Sequence, residues 1–247
     1  MEFEERATNP LAGGMQIGYQ CGMIWGAALA AGAQTYRLFG TGPQAQARAI
    51  IAAQRVVESF RAQNNNTNCL EITKIDLSSP TTRMIVRFLI KSGATGSCFG
   101  MAARYAPAAF REINTALSEK HIEAPSAPVS CSAMLAQKMG LSDMYTVMAA
   151  GFAGGIGLSG GACGALGTAI WVIGMNDAKE RGGNVGYKSS RASDVIDRFV
   201  ESADYEFECS KIVGRRFENV NDHAGYLRDG GCSKIIEALA AQGRVPK

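Results

Sequence analysis

Histidine is nearly absent: His121 and His223 are the two in 247 residues. With so few imidazoles and with scattered carboxylates, nothing resembles a Ser-His-Asp or Cys-His nucleophile arrangement, and each histidine reads as a surface or capping residue. The seven cysteines are equally uncooperative with familiar motifs, because the nearest two, Cys209 and Cys232, lie 23 apart. That spacing excludes CxxC, CxxCH and zinc-finger patterns. Charge of one sign is also missing: 25 Lys and Arg against 22 Asp and Glu leave +3, too little and too dispersed to predict a nucleic-acid or membrane-surface partner. The opening "MEFEERATN" is acidic and lacks the basic, apolar character of an export signal. The expectation is a cytoplasmic protein whose odd cysteine count favours reduced or metal-bound thiols over a disulfide framework.

What the chain has in excess is small residues, 29 of them glycine. Two long runs carry no charge, Ala7 to Tyr36 and Met144 to Asn176. Either is long enough to span a bilayer, yet both are broken by glycine clusters and polar residues and lack flanking Lys/Arg blocks. They read as buried helices split by a glycine turn, with no membrane span. Within the second run, Gly155-Ile156-Gly157-Leu158-Ser159-Gly160 spells G-x-G-x-x-G. A dinucleotide loop needs a strand before it, and "MYTVMAAGFAG" is rich in Ala, Met and Gly instead. Asp177 stands at a distance suited to a ribose contact, but no βαβ alternation follows.

The chain repeats itself. "AGGMQIGYQCGMIWGAALAAG" from Ala12 aligns with "AGGIGLSGGACGALGTAIWVIG" from Ala153 with one insertion, placing Cys21 on Cys163. Downstream, "VVESFRAQNNNTNCLEITKI" parallels "VIDRFVESADYEFECSKIV", placing Cys69 on Cys209, and Cys98 falls on Cys232. Cys131 has no first-half counterpart. Residues 118–130, with Pro125 and Pro128, read as a linker between a degenerate copy, 1–117, and a complete one, 131–247. Helical periodicity dominates: Ile50, Ala53, Val57 and Phe60 share a face, and Met134, Leu135, Lys138 and Met139 precede a Gly140 stop. Asp194 reads as the N-cap of the helix through Phe199, and "MIVRFLI" from Met84 fits a strand or a helix face. Trp25 and Trp171 read as core. The expected fold is mostly α-helical, built from two homologous halves.

Cys131, then Gly-Gly-x-Gly leading into Ala162-Cys163-Gly164-Ala165-Leu166-Gly167, then Cys209 and Cys232, resembles the C_GCAxxG_C_C family of redox-active proteins, which also supplies the iron-sulfur-associated part of split-Soret cytochromes. Here Ala-Cys-Gly replaces the Gly-Cys-Ala of the family's motif, and no haem-attachment motif occurs. The resemblance implies redox chemistry and an iron-sulfur cluster, [2Fe-2S] or [4Fe-4S], on Cys131, Cys163, Cys209 and Cys232. Cys21, Cys69 and Cys98 form a second site short of a ligand. Backbone at Gly155, Gly157 and Gly164 is expected near the cluster, where a Cβ would collide. A redox partner protein and a homodimer are the expected partners. Zinc suits the same four thiolates, and thiol-disulfide exchange or mere packing of the cysteines stays open beside electron transfer.

Overall fold

The computed structural model describes residues 2–76, 98–119, 122–183, 185–186 and 188–241. "MIVRFLI" and His121 lie outside these residues. Among them there are α-helices and short turns, with no β-strand beyond two isolated bridges. The first half holds α1 (Glu2–Arg6), α2 (Gly22–Phe39), α3 (Pro43–Asn64), α4 (Cys69–Thr73) and α5 (Cys98–Ser118). The second holds α6 (Cys131–Lys138), α7 (Asp143–Ala150), α8 (Gly164–Glu180), α9 (Ser190–Ser202), α10 (Cys209–Val213), α11 (Val220–Arg228) and α12 (Ser233–Ala240).

The halves repeat one topology. Helix α2 matches α8, α3 matches α9, α4 matches α10, and α5 matches α12, each in the order the cysteine frame predicts. The isolated bridge Gln20↔Asn68 recurs as Ala162↔Glu208. Even the helix stops agree, since α4 ends on left-handed Lys74 (φ 58°) and α10 on left-handed Gly214 (φ 79°).

The charge-free runs are interior helices. In α8, fourteen of seventeen residues are buried, which is the pattern of a helix enclosed on all sides rather than one with a solvent face. Helix α2 packs on α3 and α7, and α3 on α5. Close approach needs glycine: a Cβ at Gly32 of α2 would sit 2.5 Å from Met148 Cα of α7. No helix among the described residues is long and apolar enough to cross a membrane. Both tryptophans are fully buried; the Trp25 ring occupies the space beside Gly167, where a Cβ would meet Cε3 at 2.9 Å.

Each Ala-Gly-Gly segment forms a left-handed turn. Gly13, Gly14, Met15 and Gln16 have φ of 66°, 64°, 60° and 67°, and Gly154 through Leu158 run at 63°, 76°, 64°, 56° and 60°. A non-glycine residue costs about 1–2 kcal/mol in this conformation. Met15 and Ile156 are fully buried, and burial of such a side chain, worth about 1.5–3 kcal/mol, offsets that cost. The second turn also satisfies its own backbone, with Ile156 N donating to Phe152 O at 2.9 Å and Gly157 N to Gly151 O at 2.9 Å. The G-x-G-x-x-G spelling is therefore the signature of this turn, with no strand ahead of it.

One local expectation is corrected. The cap of α9 is Ser189, whose extended backbone lets its hydroxyl accept from Ala192 N; Asp194 lies a turn inside the helix, where no free amide remains for it. Asp177 is a buried tie between α8 and α9, accepting from Ser189 Oγ at 3.0 Å and Arg191 Nη1 at 3.0 Å. Ile50, Ala53, Val57 and Phe60 are buried along α3, and Gly140 follows α6 with φ 83°, both as the periodicity predicts.

Candidate metal centre

Every one of the seven cysteines stands at a helix start. Cys69, Cys98, Cys131 and Cys209 are the first residues of α4, α5, α6 and α10, while Cys21, Cys163 and Cys232 cap α2, α8 and α12. First-turn amides point outward there and favour negative charge, which suits a thiolate.

The bridges bring the starts together. In the second half, Cys163 N donates to Phe207 O at 2.8 Å and Cys209 N to Gly161 O at 2.6 Å. The first half repeats this with Cys21 N to Thr67 O at 2.8 Å and Cys69 N to Tyr19 O at 2.7 Å. These reciprocal bonds hold two cysteines side by side in each half, at the mouths of α8 and α10 or of α2 and α4.

The thiols feel one another's charge. Cys163 is pushed up to about 12, by burial first and then by Cys131, against the pull of the Leu166 and Ala165 amides. Cys209 is raised by burial and then by Cys163, Cys131 and Cys232, and Cys232 by burial, Cys131 and Cys163. In the first half, burial and then Cys69 and Cys98 raise Cys21 to about 12, against the Met23 amide. Cys69 is raised by burial and Cys98. These charges link Cys131, Cys163, Cys209 and Cys232 with one another, and Cys21, Cys69 and Cys98 with one another. Among the described residues, no three His, Cys, Asp or Glu side chains already stand in the arrangement of a metal ion's ligand set.

Cys131 behaves differently, and His223 is the reason. The expectation of a surface or capping histidine is corrected here: His223 is fully buried, with Nδ1 3.0 Å from Val129 O and Phe217 edge-on at 4.7 Å. Burial alone would raise the Cys131 thiol, but His223, the Gly154 amide and Ser132 together hold it below its ordinary value. His223 is in turn raised: burial opposes its charge, and Cys131, Val129 O and Asp222 outweigh that. A lone histidine far along the chain carries no sequence signal of this pairing.

The glycines named from sequence serve backbone approach. A Cβ at Gly155 would lie 2.5 Å from Gly161 N and O, and one at Gly157 2.5 Å from Gln54 Cα of α3. At Gly164 it would lie 2.5 Å from Phe152 C and 2.9 Å from Ser132 Oγ, beside Cys131. The amide that reaches a cysteine sulfur from the left-handed turn is that of Gly154.

With this geometry in view, the C_GCAxxG_C_C family, described as "Putative redox-active protein", matches residues 2–106 and 129–242. The chain belongs to this family. The two matched stretches coincide with the two structural halves, so the family's unit is present twice. No curated protein and no solved structure matches the chain.

Proposed function

We propose that the protein carries electrons through an iron-sulfur cluster held by Cys131, Cys163, Cys209 and Cys232. The observation that supports this most is the opposition that burial and neighbouring thiols raise to ionising Cys163, Cys209 and Cys232, gathered with Cys131 from four helix starts. Burial and neighbouring charge keep Cys163, Cys209 and Cys232 protonated, so all four sulfurs can be thiolates together only around a cation that cancels their charge. The donor chemistry, four cysteines and little else, is that of a cluster. Closing on the metal requires the side chains to turn from the positions they hold as thiols.

Bound there, a cluster supplies a one-electron couple. The chain's part is to exclude water, through the buried positions of Cys131, Cys163 and Cys209, and to aim amides at sulfur. Ala165 and Leu166 serve Cys163 and Gly154 serves Cys131; such hydrogen bonds stabilise negative charge on sulfur and tune the potential. Thiol-disulfide exchange needs an accessible, easily ionised thiol, whereas the thiol held low, Cys131, is buried. The three first-half cysteines leave one position to water, a carboxylate or another chain, which makes a more labile site.

Anaerobic purification of two variants tests the assignment. Cys163→Ser is expected to lose most of the iron and visible absorption, and Cys21→Ser at most a minor fraction. The reverse order puts the cluster in the wrong half.

A further inference from the structure

His223 is arranged as a metal-ligating histidine is. Its Nδ1 faces the carbonyl oxygen of Val129 at 3.0 Å, and a carbonyl only accepts, so Nδ1 carries the proton. In a neutral imidazole the lone pair then belongs to Nε2. Ligating histidines characteristically donate their other ring N–H to a carbonyl or carboxylate in this way, fixing tautomer and ring plane. Nε2 itself is fully buried and makes no hydrogen bond of ordinary geometry. The carbonyl that fixes its tautomer lies two residues before Cys131, the first residue of α6, which sets the ring against the start of that helix.

A buried nitrogen with no hydrogen bond of ordinary geometry is costly, so the Nε2 lone pair asks for a ligand. Helix α11 is positioned to hold it: Asn219 caps the helix by accepting from Asp222 N at 3.0 Å, and Phe217 packs edge-on against the ring. Ring plane, tautomer and direction are thus all set before anything binds.

We propose that His223 Nε2 is a nitrogen ligand of the second-half metal site, beside Cys131, so that this half offers five donors, four sulfurs and one imidazole. The inference rests on the reading that the second half binds metal. It also separates the halves further, since the first-half cysteines have no histidine near them among the described residues.

Cadmium-113 is a suitable probe because its nucleus reports directly on bound nitrogen. The full chain is labelled with nitrogen-15 histidine in a His121→Gln background, leaving His223 as the one imidazole, and given one equivalent of ¹¹³Cd²⁺. The expected result is a scalar coupling between the bound cadmium and His223 Nε2. Cadmium bound without that coupling overturns the histidine ligand and leaves a cysteine metal site standing; no bound cadmium overturns both. His223→Gln is expected to weaken cadmium binding by at least about tenfold, and a folded variant with unchanged affinity counts against the proposal. Because the coupling is read on the intact imidazole, the test survives even where the variant fails to fold.

Discussion

Replacing Gly164 by alanine tests the packing that sets Cys163. The added Cβ would lie 2.5 Å from Phe152 C, nearer still to Phe152 O, and 2.9 Å from Ser132 Oγ, inside the 3.0 Å limit that Cβ atoms respect. The oxygen is the acceptor for Ile156 N at 2.9 Å, the bond that opens the left-handed turn, and the Phe152 ring is held edge-on to Trp25 at 4.8 Å. Relief cannot come from a rotamer change, because backbone is what the methyl meets. Overpacking of this kind costs about 1–3 kcal/mol, and displacing the carbonyl loses a buried hydrogen bond worth about 1 kcal/mol. The gain in helix propensity returns about 1 kcal/mol. A net destabilisation of about 1–3 kcal/mol follows, or a melting temperature lower by about 2–12 °C for a chain of this size. Gly26→Ala is the internal control: it sits in the matching helix α2 with no atom within 4 Å of its Cβ, and it should stabilise by about 0.5–1 kcal/mol. Urea and thermal denaturation of both variants give the answer. If Gly164→Ala and Gly26→Ala shift stability alike, the close-packing account of the cysteine frame is refuted.

Other outcomes follow from single contacts. Asp177→Ala removes the buried carboxylate that Ser189 and Arg191 share, and charged hydrogen bonds of this kind contribute about 1.5–3 kcal/mol; a loss of about 2 kcal/mol is expected in urea denaturation. Asp222 is held down to about 2, chiefly by the paired hydrogen bonds from Arg215 and then by the Glu218 amide. A depressed carboxylate stabilises fully above its unfolded value and loses that contribution as pH falls through its folded one. The stability gap between wild type and Asp222→Asn should therefore be constant above about pH 5 and shrink as pH falls from 3.8 towards about 2; a gap that does not depend on pH contradicts the pairing.

The duplicated frame was readable because it is written in cysteine and glycine, residues whose roles survive when the side chains around them drift. Cys21 and Cys163 cap equivalent helices, and Phe60 and Phe199, aligned by the repeat, are both fully buried. Less was legible where conformation is decided by tertiary contacts. Ile156 is an improbable left-handed residue on local preference alone, and only the core that receives its side chain makes it acceptable. Ser189 displaced Asp194 as a cap because the preceding chain arrives extended, which no periodicity reports. His223 escaped notice because its partner, Cys131, is 92 positions away; a buried imidazole looks the same in sequence as an exposed one. The run "GGIGLSGGACGALG" could be assigned to a cysteine site, but that Gly154 is the residue whose amide meets sulfur depends on a turn geometry visible in space.

The account's central claim concerns what the second-half cysteines hold. Its most direct test is anaerobic purification of the whole chain, followed by a visible spectrum and analysis of iron, zinc and acid-labile sulfide on one sample. The claim predicts a brown protein with sulfide-to-iron charge-transfer bands that bleach on reduction, and iron and sulfide in comparable amounts. A colourless protein that takes up neither iron nor sulfide on anaerobic reconstitution, or one that holds zinc alone, contradicts it.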